Sequence, residues 1–267
     1  MPSPLLVRPS KPDADGRVHA VTPGSAGWTY VGFDVYDLAP GQTLKRDTGT
    51  QEACVVVLTG RVAASAGGQD FGTIGGRSNV FEGPGWSVYV PPHSSWQVAA
   101  EGPAEIAVCH APAKGTLPPR LIPPAEVGQE TRGKGSNTRH VRNILPDASP
   151  HAESLLVVEV VTPAGNWSSY PPHKHDQDNL PHESQLEETY YHRLNPPQGY
   201  GMQRVYTDDR SLDETVSFAD RDVVLVPKGY HPVGAPHGYD LFYLNVMAGP
   251  TRIWCFHNDP AHAWMLG

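Results

Sequence analysis

Two histidines separated by one residue, His173 and His175, lie in the segment SYPPHKHDQDNLPHESQLEETYYHR, and the adjacent glutamates Glu187 and Glu188 follow in the same segment. Alternate residues of a β-strand point to the same face, so a strand here would direct both imidazoles to one side and Lys174 to the other. Two imidazoles on one face can ligate a metal ion when further donors arrive from neighbouring strands. The segment is therefore a candidate metal site.

Further donors are available in the same half of the chain. His231 in VPKGYHPVG follows a Pro-x-Gly turn that can bring a third imidazole to the ion, and one of the two glutamates can supply a carboxylate. Three imidazoles and one carboxylate suit a divalent ion with positions left open for substrate. Zinc is the expected ion, with Fe, Mn, Co and Ni as alternatives.

The choice of glutamate depends on strand register. If Glu188 faces the histidines, Tyr190 and His192 share its face, whereas a shift by one residue would bring Glu187 and its alternates inward instead. The residues alone leave both registers open.

Accidental histidine clusters are common in a chain with 13 histidines. Several are therefore expected to be ordinary surface, loop or structural residues, namely His93, His182, His237, His257 and His262. His93 follows a Pro-Pro turn in the first half much as His231 follows its turn, but that half has no His-x-His pair.

The elements that must position these residues are predicted to be strands. Runs such as ACVVVLTGRVAAS, SLLVVEVVTP and DLFYLNVMAG are β-branched or aromatic and end at turn residues, and the chain has 27 Gly and 28 Pro. No segment keeps helical periodicity over three turns. The sequence therefore predicts an all-β fold.

The strands form two sets that resemble each other. Each half has a strand, a Gly-rich turn, another strand, and a V-x-V-P sequence with a histidine shortly after it, which predicts two copies of a small antiparallel barrel. We expect an N-terminal barrel without metal ligands at residues 1–120, a Pro- and Gly-rich connection over the surface at 121–150, and a metal-binding barrel at 151–267.

Composition limits the possible partners. The formal net charge is −8, which argues against nucleic acid as a partner. The first residues lack an apolar signal segment and no apolar run is long enough to span a membrane, so a cytoplasmic protein is expected.

Cys54 and Cys109 lie in apolar runs and are expected to be buried thiols, while Cys255 has no partner by spacing. The run CVVVL is compatible with an edge strand and a homo-oligomer.

The motifs G-x(7)-HKH with a later Glu, and D-x(4)-P-x-G-x-H-x(13)-N, resemble the two signature motifs of cupin barrels. They depart from them by two extra residues before HKH, by a loop of about ten residues before the Glu, and by His231, which lies one residue earlier after the Pro-x-Gly turn than in most cupins. More narrowly, YPPHKHD, LEETYYHRLNPPQGYGMQRVYTDD and VVLVPKGYHPV resemble the 5-deoxy-glucuronate isomerases of myo-inositol catabolism. That family consists of bicupins, or tandem cupin barrels, related to 5-keto-4-deoxyuronate isomerases. The resemblance extends over the whole chain.

The resemblance implies a function and a set of site residues. The reaction would convert 5-deoxy-D-glucuronate to 5-dehydro-2-deoxy-D-gluconate, through an enediol or by a hydride shift, with a divalent ion as Lewis acid. Aligning EETYYHR with the family's strand makes Glu188 the ligand beside the three histidines.

The same reaction needs a base and a group that binds the substrate's carboxylate. The candidate bases are Tyr190, His192 and the glutamate that is not a ligand. Arg204 and Lys228 are the first candidates for the carboxylate of the sugar acid, and Arg139 and Arg142 in the connection are alternatives.

Three other functions fit parts of this pattern. A metal-dependent cupin dioxygenase would use the same ligands, a 5-keto-4-deoxyuronate isomerase would differ in substrate, and a bicupin that only binds sugar would use the metal structurally. Open coordination positions argue against the last, since structural metal sites tend to be closed.

Overall fold

A computed structural model of the chain describes residues 3–266, and strands dominate its regular structure. The all-β prediction is confirmed. Helical structure in the described residues is limited to short pieces: an α-helix at Pro23–Ala26 and 3₁₀ helices at Pro124–Glu126, Gly135–Asn137 and Pro260–Leu266. The β-branched and aromatic runs of the sequence form the long strands, and Gly and Pro lie at their ends.

The chain forms two compact units. The N-terminal unit contains residues 9–128 and 143–157, and the C-terminal unit contains residues 3–8, 129–142 and 158–266. The functional domain boundaries expected at residues 120 and 150 stay a prediction.

The segment expected to be a surface connection is instead largely strand. It forms Gly128–Arg132 and Arg139–Leu145, and it buries Val141, Ile144 and Leu145. The Pro- and Gly-rich composition of the connection concealed the apolar residues of RHVRNIL, which are buried when this stretch joins a sheet.

The N-terminal unit contains a six-stranded and a four-stranded antiparallel sheet, with strands numbered in chain order. The six-stranded sheet has the spatial order β11 (Arg120–Ile122), β8 (Ser87–Val90), β5 (Gln51–Thr59), β10 (Ala104–Pro112), β3 (Gly32–Leu38) and β2 (Arg17–Val21). The four-stranded sheet has the order β4 (Thr43–Asp47), β9 (Ser95–Ala100), β6 (Arg61–Ala66) and β7 (Gln69–Gly75). Apolar side chains from both sheets form one buried cluster between them.

The C-terminal unit repeats this plan with a seven-stranded and a four-stranded sheet. The first has the order β1 (Leu6–Val7), β22 (Val223–Val226), β19 (Glu187–Asn195), β24 (Asp240–Ala248), β14 (Leu156–Thr162), β13 (Arg139–Leu145) and β12 (Gly128–Arg132). The second has the order β15 (Trp167–Ser168), β23 (Val233–Gly234), β20 (Tyr200–Tyr206) and β21 (Asp213–Ala219). A second apolar cluster lies between these sheets.

Two small ribbons complete the C-terminal unit, and both adjoin the histidine pair. β16 (His173–Lys174) pairs with β25 (His257–Asn258), and β17 (Asp176–Asn179) pairs with β18 (Glu183–Gln185). The second ribbon is the loop that separates the histidine pair from the glutamates in sequence.

The CVVVL run is part of β5, which is paired on one side with β8 and on the other with β10. The expectation that it is an edge strand is wrong, because its backbone hydrogen-bonding groups are used on both sides. It therefore offers no free edge for self-association.

Among residues 3–266, no helix has both the length and the apolar character needed to span a membrane. Cys54 and Cys109 are buried free thiols, as predicted, and Cys255 is partly buried and also free.

Candidate metal centre

The histidine pair is fixed by the β16–β25 ribbon. His173 pairs with Asn258 in this ribbon, and His175 follows directly after it. Both imidazoles are buried, and their ring centroids lie 6.2 Å apart. The ring of Phe256, 4.7 Å from that of His173, packs on its outer side.

A glycine turn brings His231 to the same place. Gly229 has φ +91°, and a Cβ there would lie 2.4 Å from the carbonyl oxygen of Tyr206, so only glycine fits this close approach. The carbonyl oxygen of Gly229 lies 2.8 Å from His231 Nδ1 and accepts a hydrogen bond from it. This bond leaves the lone pair of His231 Nε2 facing the other histidines.

Glu188 completes the group from the central strand β19. Its Oε2 atom lies 3.1 Å from His175 Nε2 and 3.1 Å from His231 Nε2. Strand alternation directs the neighbouring Glu187 to the opposite face of the sheet. The structure therefore brings Glu188, and not Glu187, to the histidines.

The donor set fits a cation. The ligating nitrogens of His173, His175 and His231 all lie within 4.8 Å of one another. His175 Nδ1 donates to the carbonyl oxygen of Leu186 at 3.1 Å, and its Nε2 is hydrogen-bonded to Glu188 Oε2 at 3.1 Å, whereas the Nε2 lone pair of His231 faces the same carboxylate. His231 Nε2 is buried and has no hydrogen-bond partner in the described chain. Acceptor atoms held this close repel one another unless a cation lies between them.

The protonation states agree with this arrangement. Burial and the neighbouring histidines hold the pKa of His173 well below its usual value, and burial also lowers the pKa of His231. Burial opposes ionisation of Glu188, but His231 and His175 outweigh it and lower the pKa of the carboxyl group. Burial likewise opposes protonation of His175, but its bond to Glu188 raises its pKa overall. The carboxylate of Glu188 is thus ionised and the imidazoles of His173 and His231 are neutral, the forms that bind metal, whereas His175 is protonated more readily than usual while it pairs with Glu188.

Lys174 faces away from the cluster, as predicted, and is buried in a network of its own. Its Nζ atom lies 2.7 Å from Asp176 Oδ1 and 3.0 Å from Glu183 Oε2, so it ties β16 to the β17–β18 ribbon. Asp176 Oδ2 in turn accepts from the backbone N–H of Gly229 at 2.8 Å. One buried cation therefore links the histidine pair to the turn that carries His231.

A cleft opens beside the cluster and encloses about 320 Å³, including the part open to solvent. Its wall is formed by Arg132, Arg139, Val141, Val160, Ser169, His173, Tyr190, Tyr243, Asn245 and Trp254.

Tyr190 lines this cleft, two residues beyond Glu188 on the same face of β19. Its hydroxyl lies 3.1 Å from Ser169 Oγ, and its ring centroid lies 5.9 Å from that of His231. Burial, with the negative charge of Glu188, raises its pKa well above the usual value. The phenol is therefore protonated at neutral pH and acts as a hydrogen-bond donor.

His192 is placed differently. Its ring stacks on Phe218 with a centroid distance of 3.6 Å, and its Nε2 pairs with Gln203 Oε1 at 3.2 Å. Burial lowers its pKa to about 3. It is absent from the wall of the cleft, and these contacts favour a packing role over the predicted catalytic one.

The two first candidates for carboxylate binding also lie outside this cleft. Arg204 is exposed and holds Asp213 through two hydrogen bonds of 2.7 Å from Nε and Nη2. Lys228 is exposed. Of the alternatives, Arg142 is buried against Glu159 at 3.4 Å, whereas Arg139 lines the cleft.

Sequence reasoning missed several residues of the cleft, among them Arg132, Ser169, Tyr243, Asn245 and Trp254. The available signals were weak. Asn245 ends the second quoted motif, and Tyr243 precedes it by the two residues that place both on one face of β24. Nothing in the pattern indicated Arg132 and Trp254, which lie in segments far apart in sequence.

The histidines expected to be incidental are at the surface. His93, His182, His237 and His257 are exposed, and His262 is partly exposed. None belongs to the histidine cluster.

The chain matches a known protein family over nearly its whole length. The family model described as KduI/IolB matches residues 5–265. The chain belongs to the KduI/IolB family. This membership confirms the family resemblance inferred from the motifs.

Relatives with assigned activities match over nearly the full length. The chain is 60% identical over 265 residues to the 5-deoxy-glucuronate isomerase of Geobacillus kaustophilus, covering 99% of this chain and 96% of the relative. It is 54% identical over 250 residues to the 5-deoxy-glucuronate isomerase of Bacillus subtilis strain 168, covering 93% and 92%.

Solved structures support the fold. An IolB-like protein from Salmonella typhimurium LT2 is 52% identical and superposes with a TM-score of 0.95 over 98% of this chain and 99% of that one. The oxalate decarboxylase of Lactobacillus farciminis is only 12% identical but has a TM-score of 0.68 over 97% and 89% of the two chains. The second match shows the fold alone. The prediction of two tandem cupin barrels is confirmed.

Proposed function

We propose that this chain is a metal-dependent 5-deoxy-glucuronate isomerase, which converts the aldose 5-deoxy-D-glucuronate to the ketose 5-dehydro-2-deoxy-D-gluconate in myo-inositol catabolism. The observation that carries the proposal is the convergence of three imidazoles and one carboxylate at the end of a cleft lined by arginines. Family membership and the named activities of relatives at 52–60% identity support it.

His173, His175, Glu188 and His231 are the proposed ligands of one divalent ion. A bound ion would supply a Lewis acid for the carbonyl and hydroxyl oxygens at C1 and C2 of the open-chain sugar. Zinc is the proposed ion because borderline ligands of this kind suit it, and Fe, Mn, Co or Ni are the alternatives.

Tyr190 is the proposed catalytic group that contacts the sugar. Its raised pKa makes the phenol a poor base at neutral pH and a good donor to a sugar oxygen that gains negative charge. Ser169, which shares a hydrogen bond with Tyr190, keeps the hydroxyl directed along the wall of the cleft. Because His192 is packed against Phe218, we do not assign it a step.

The route of the C2 hydrogen is open to direct measurement. A reaction run in D₂O incorporates solvent deuterium at C1 of the product when a protein base carries the proton, and retains the original hydrogen when it shifts directly. A Tyr190→Phe variant that turns over slowly but still incorporates deuterium into its product would place the tyrosine as donor rather than base.

The decisive experiment incubates the purified protein with 5-deoxy-D-glucuronate and follows the C1 aldehyde and the new ketone by NMR. The metal content is measured on the same preparation. We expect conversion without an added redox cofactor or oxygen uptake, and loss of both metal and conversion in His173→Ala and His231→Ala. Full metal and full turnover in both variants would overturn the proposal.

Three alternatives are separated by the same preparation. Oxygen consumption would indicate a dioxygenase, and faster conversion of 5-keto-4-deoxyuronate would indicate the related uronate isomerase. Saturable binding with no turnover on any sugar acid would indicate a protein that only binds sugar.

A further inference from the structure

One arginine of the cleft differs from the other arginines near it. Arg139 lies on β13 and lines the cleft together with His173 and Tyr190. Its guanidinium donates two hydrogen bonds, to the backbone carbonyl oxygens of Asn137 and Tyr170, each at 3.2 Å. No carboxylate lies within ion-pair distance of it in the part of the chain that the structure describes.

Other arginines of the C-terminal unit have carboxylate partners. Arg204 is paired with Asp213, Arg142 with Glu159, and Arg193 with Asp220. Even Arg132, on the wall of the same cleft, is paired with Glu130 at 2.7 Å. Arg139 therefore carries a positive charge that the described protein does not neutralise by direct contact.

The free edge of Arg139 has the geometry that binds a carboxylate. Both of its hydrogen bonds use Nη1, which leaves the fork formed by Nε and Nη2 without an acceptor among residues 3–266. Arg204 uses this same fork to hold both oxygens of Asp213 at 2.7 Å. Bidentate guanidinium–carboxylate pairs of this type are strong and specific for the planar anion.

The surroundings make an anion favourable at this position. Burial lowers the pKa of Arg139 below its usual value, and the positive charge of Arg132 acts in the same direction. A partly desolvated cation that gains an anionic partner recovers interaction energy that water no longer supplies. The wall around it offers further hydroxyl groups, such as that of Tyr243.

We infer that Arg139 binds the carboxylate of the sugar acid and so selects acidic aldoses over neutral ones. The inference rests on the proposed function, because it assumes that C1 of the sugar lies at the histidine cluster. The carboxylate at the other end of the open-chain sugar then lies along the cleft against Arg139, so the protein contacts both ends of the substrate. Arg204 and Lys228, the residues first suggested by the sequence, have no part in this recognition.

The test combines one change in the protein with one change in the substrate. Wild-type enzyme and Arg139→Gln are compared with 5-deoxy-D-glucuronate and with its uronamide, which has the same shape but no charge. We expect Arg139→Gln to lower kcat/KM for the acid by roughly 10- to 150-fold, mainly through KM, since bonds to charged groups have this strength. The uronamide should change by less than about threefold, within the context dependence of neutral hydrogen bonds.

A binding measurement gives a readout that does not depend on turnover. The substrate analogue reduced to an alcohol at C1 cannot isomerise, and its affinity for the holoenzyme is measured by calorimetry as the acid and as the amide. The preference of the wild type for the acid should disappear in Arg139→Gln and be partly restored in Arg139→Lys, which returns the charge without the fork.

Arg204→Gln is the matched control, because it removes an arginine of the same unit whose fork already holds Asp213. It should leave the preference for the acid unchanged. Thermal unfolding of every variant shows whether the two backbone hydrogen bonds of Arg139 matter for stability alone.

Three outcomes decide the matter. A parallel loss for acid and amide in Arg139→Gln would overturn the inference and assign Arg139 a structural role. Loss of the acid preference in Arg204→Gln alone would overturn it in favour of the other arginine. A wild type without turnover that still binds the reduced acid through Arg139 would overturn the proposed isomerase but support carboxylate recognition.

Discussion

The central strands of the two units, β5 and β19, occupy equivalent places in their sheets and have opposite chemical character. Glu188 of β19 pairs with Val226, the last residue of β22, and Ala53 of β5 pairs with Val90, the last residue of β8. Ala53 is therefore the N-terminal counterpart of Glu188.

The correspondence continues along the two strands. Moving two and four residues on, Tyr190 and His192 correspond to Val55 and Val57. Ala53, Val55 and Val57 are buried members of the N-terminal apolar cluster. One backbone plan thus supports either a closed apolar core or a polar site, depending on a few inward-facing side chains.

The comparison teaches that the polar face requires support that the apolar face does not. In the C-terminal unit, carbonyl oxygens orient the imidazoles of His175 and His231, and Lys174 connects the elements that carry them. In the N-terminal unit, side-chain packing is sufficient to hold the equivalent strand. Replacing the side chains that make this difference tests the comparison, and the largest effect is expected at Glu188.

Replacing Glu188 by Ala gives β19 the residue found at the equivalent place in β5. We expect bound metal to fall well below one equivalent and kcat/KM to fall by roughly 10³-fold or more, because Lewis-acid stabilisation contributes several kcal/mol. Metal analysis and the NMR assay measure the two effects. Glu187→Ala is the control, since its side chain faces the other side; metal loss there with retention in Glu188→Ala would contradict the assigned register.

The reverse change, Ala53→Glu, places a carboxylate in the N-terminal core. Without imidazole partners, a fully buried carboxyl group has its pKa raised by about four units and is neutral at pH 7, so we expect a loss of roughly 4 kcal/mol in the free energy of unfolding at that pH. Urea denaturation measures the loss, and Ala53→Gln separates the contribution of charge from that of size. Stability equal to that of Ala53→Gln would contradict the expected cost of the charge, and an additional equivalent of bound metal would show that one carboxylate suffices to create a site.

Replacing Lys174 by Met removes the buried cation that links the ribbon to the turn of His231. Glu183 then remains buried without its partner, and loss of one member of a buried pair costs roughly 3 kcal/mol of stability. The free energy of unfolding measured by urea denaturation should decrease, and so should the metal affinity measured against a chelator. Lys228→Met, at an exposed site in the same unit, should change neither; equal effects in the two variants would remove the special role of Lys174.

His192 provides a smaller, pH-dependent test. Its pKa is about 3 in the folded protein and about 6.5 when unfolded, so above pH 6.5 both states are neutral and its contribution to stability is fully present. As the pH falls from 6.5 towards 3, only the unfolded state binds the proton, and stability is lost at about 1.4 kcal/mol per pH unit.

His192→Phe should therefore lose stability less steeply than the wild type between pH 6 and 4, as measured by urea denaturation. His237→Phe, a change at an exposed position, serves as control and should leave the slope unaltered. Identical slopes in His192→Phe and the wild type would mean that His192 is protonated in the folded protein.

The sequence by itself determined the local features of this protein. β-branched and aromatic runs ended by Gly and Pro predicted an all-β fold, because these preferences act over a few residues. The spacing of His173 and His175, and the Pro-x-Gly turn before His231, depend on strand and turn geometry alone, so the candidate ligands could be named in advance. Strand alternation also limited the glutamate ligand to Glu187 or Glu188, one for each possible register.

Only the tertiary structure decided which distant segments meet. Arg139 and Trp254 lie far apart in the chain but line one cleft, whereas Arg204, close in sequence to β19, faces Asp213 instead. A segment expected to be a loop became strand β13 because its apolar residues are buried in a sheet. Such contacts depend on the packing of whole sheets, and no local pattern of residue types encodes them.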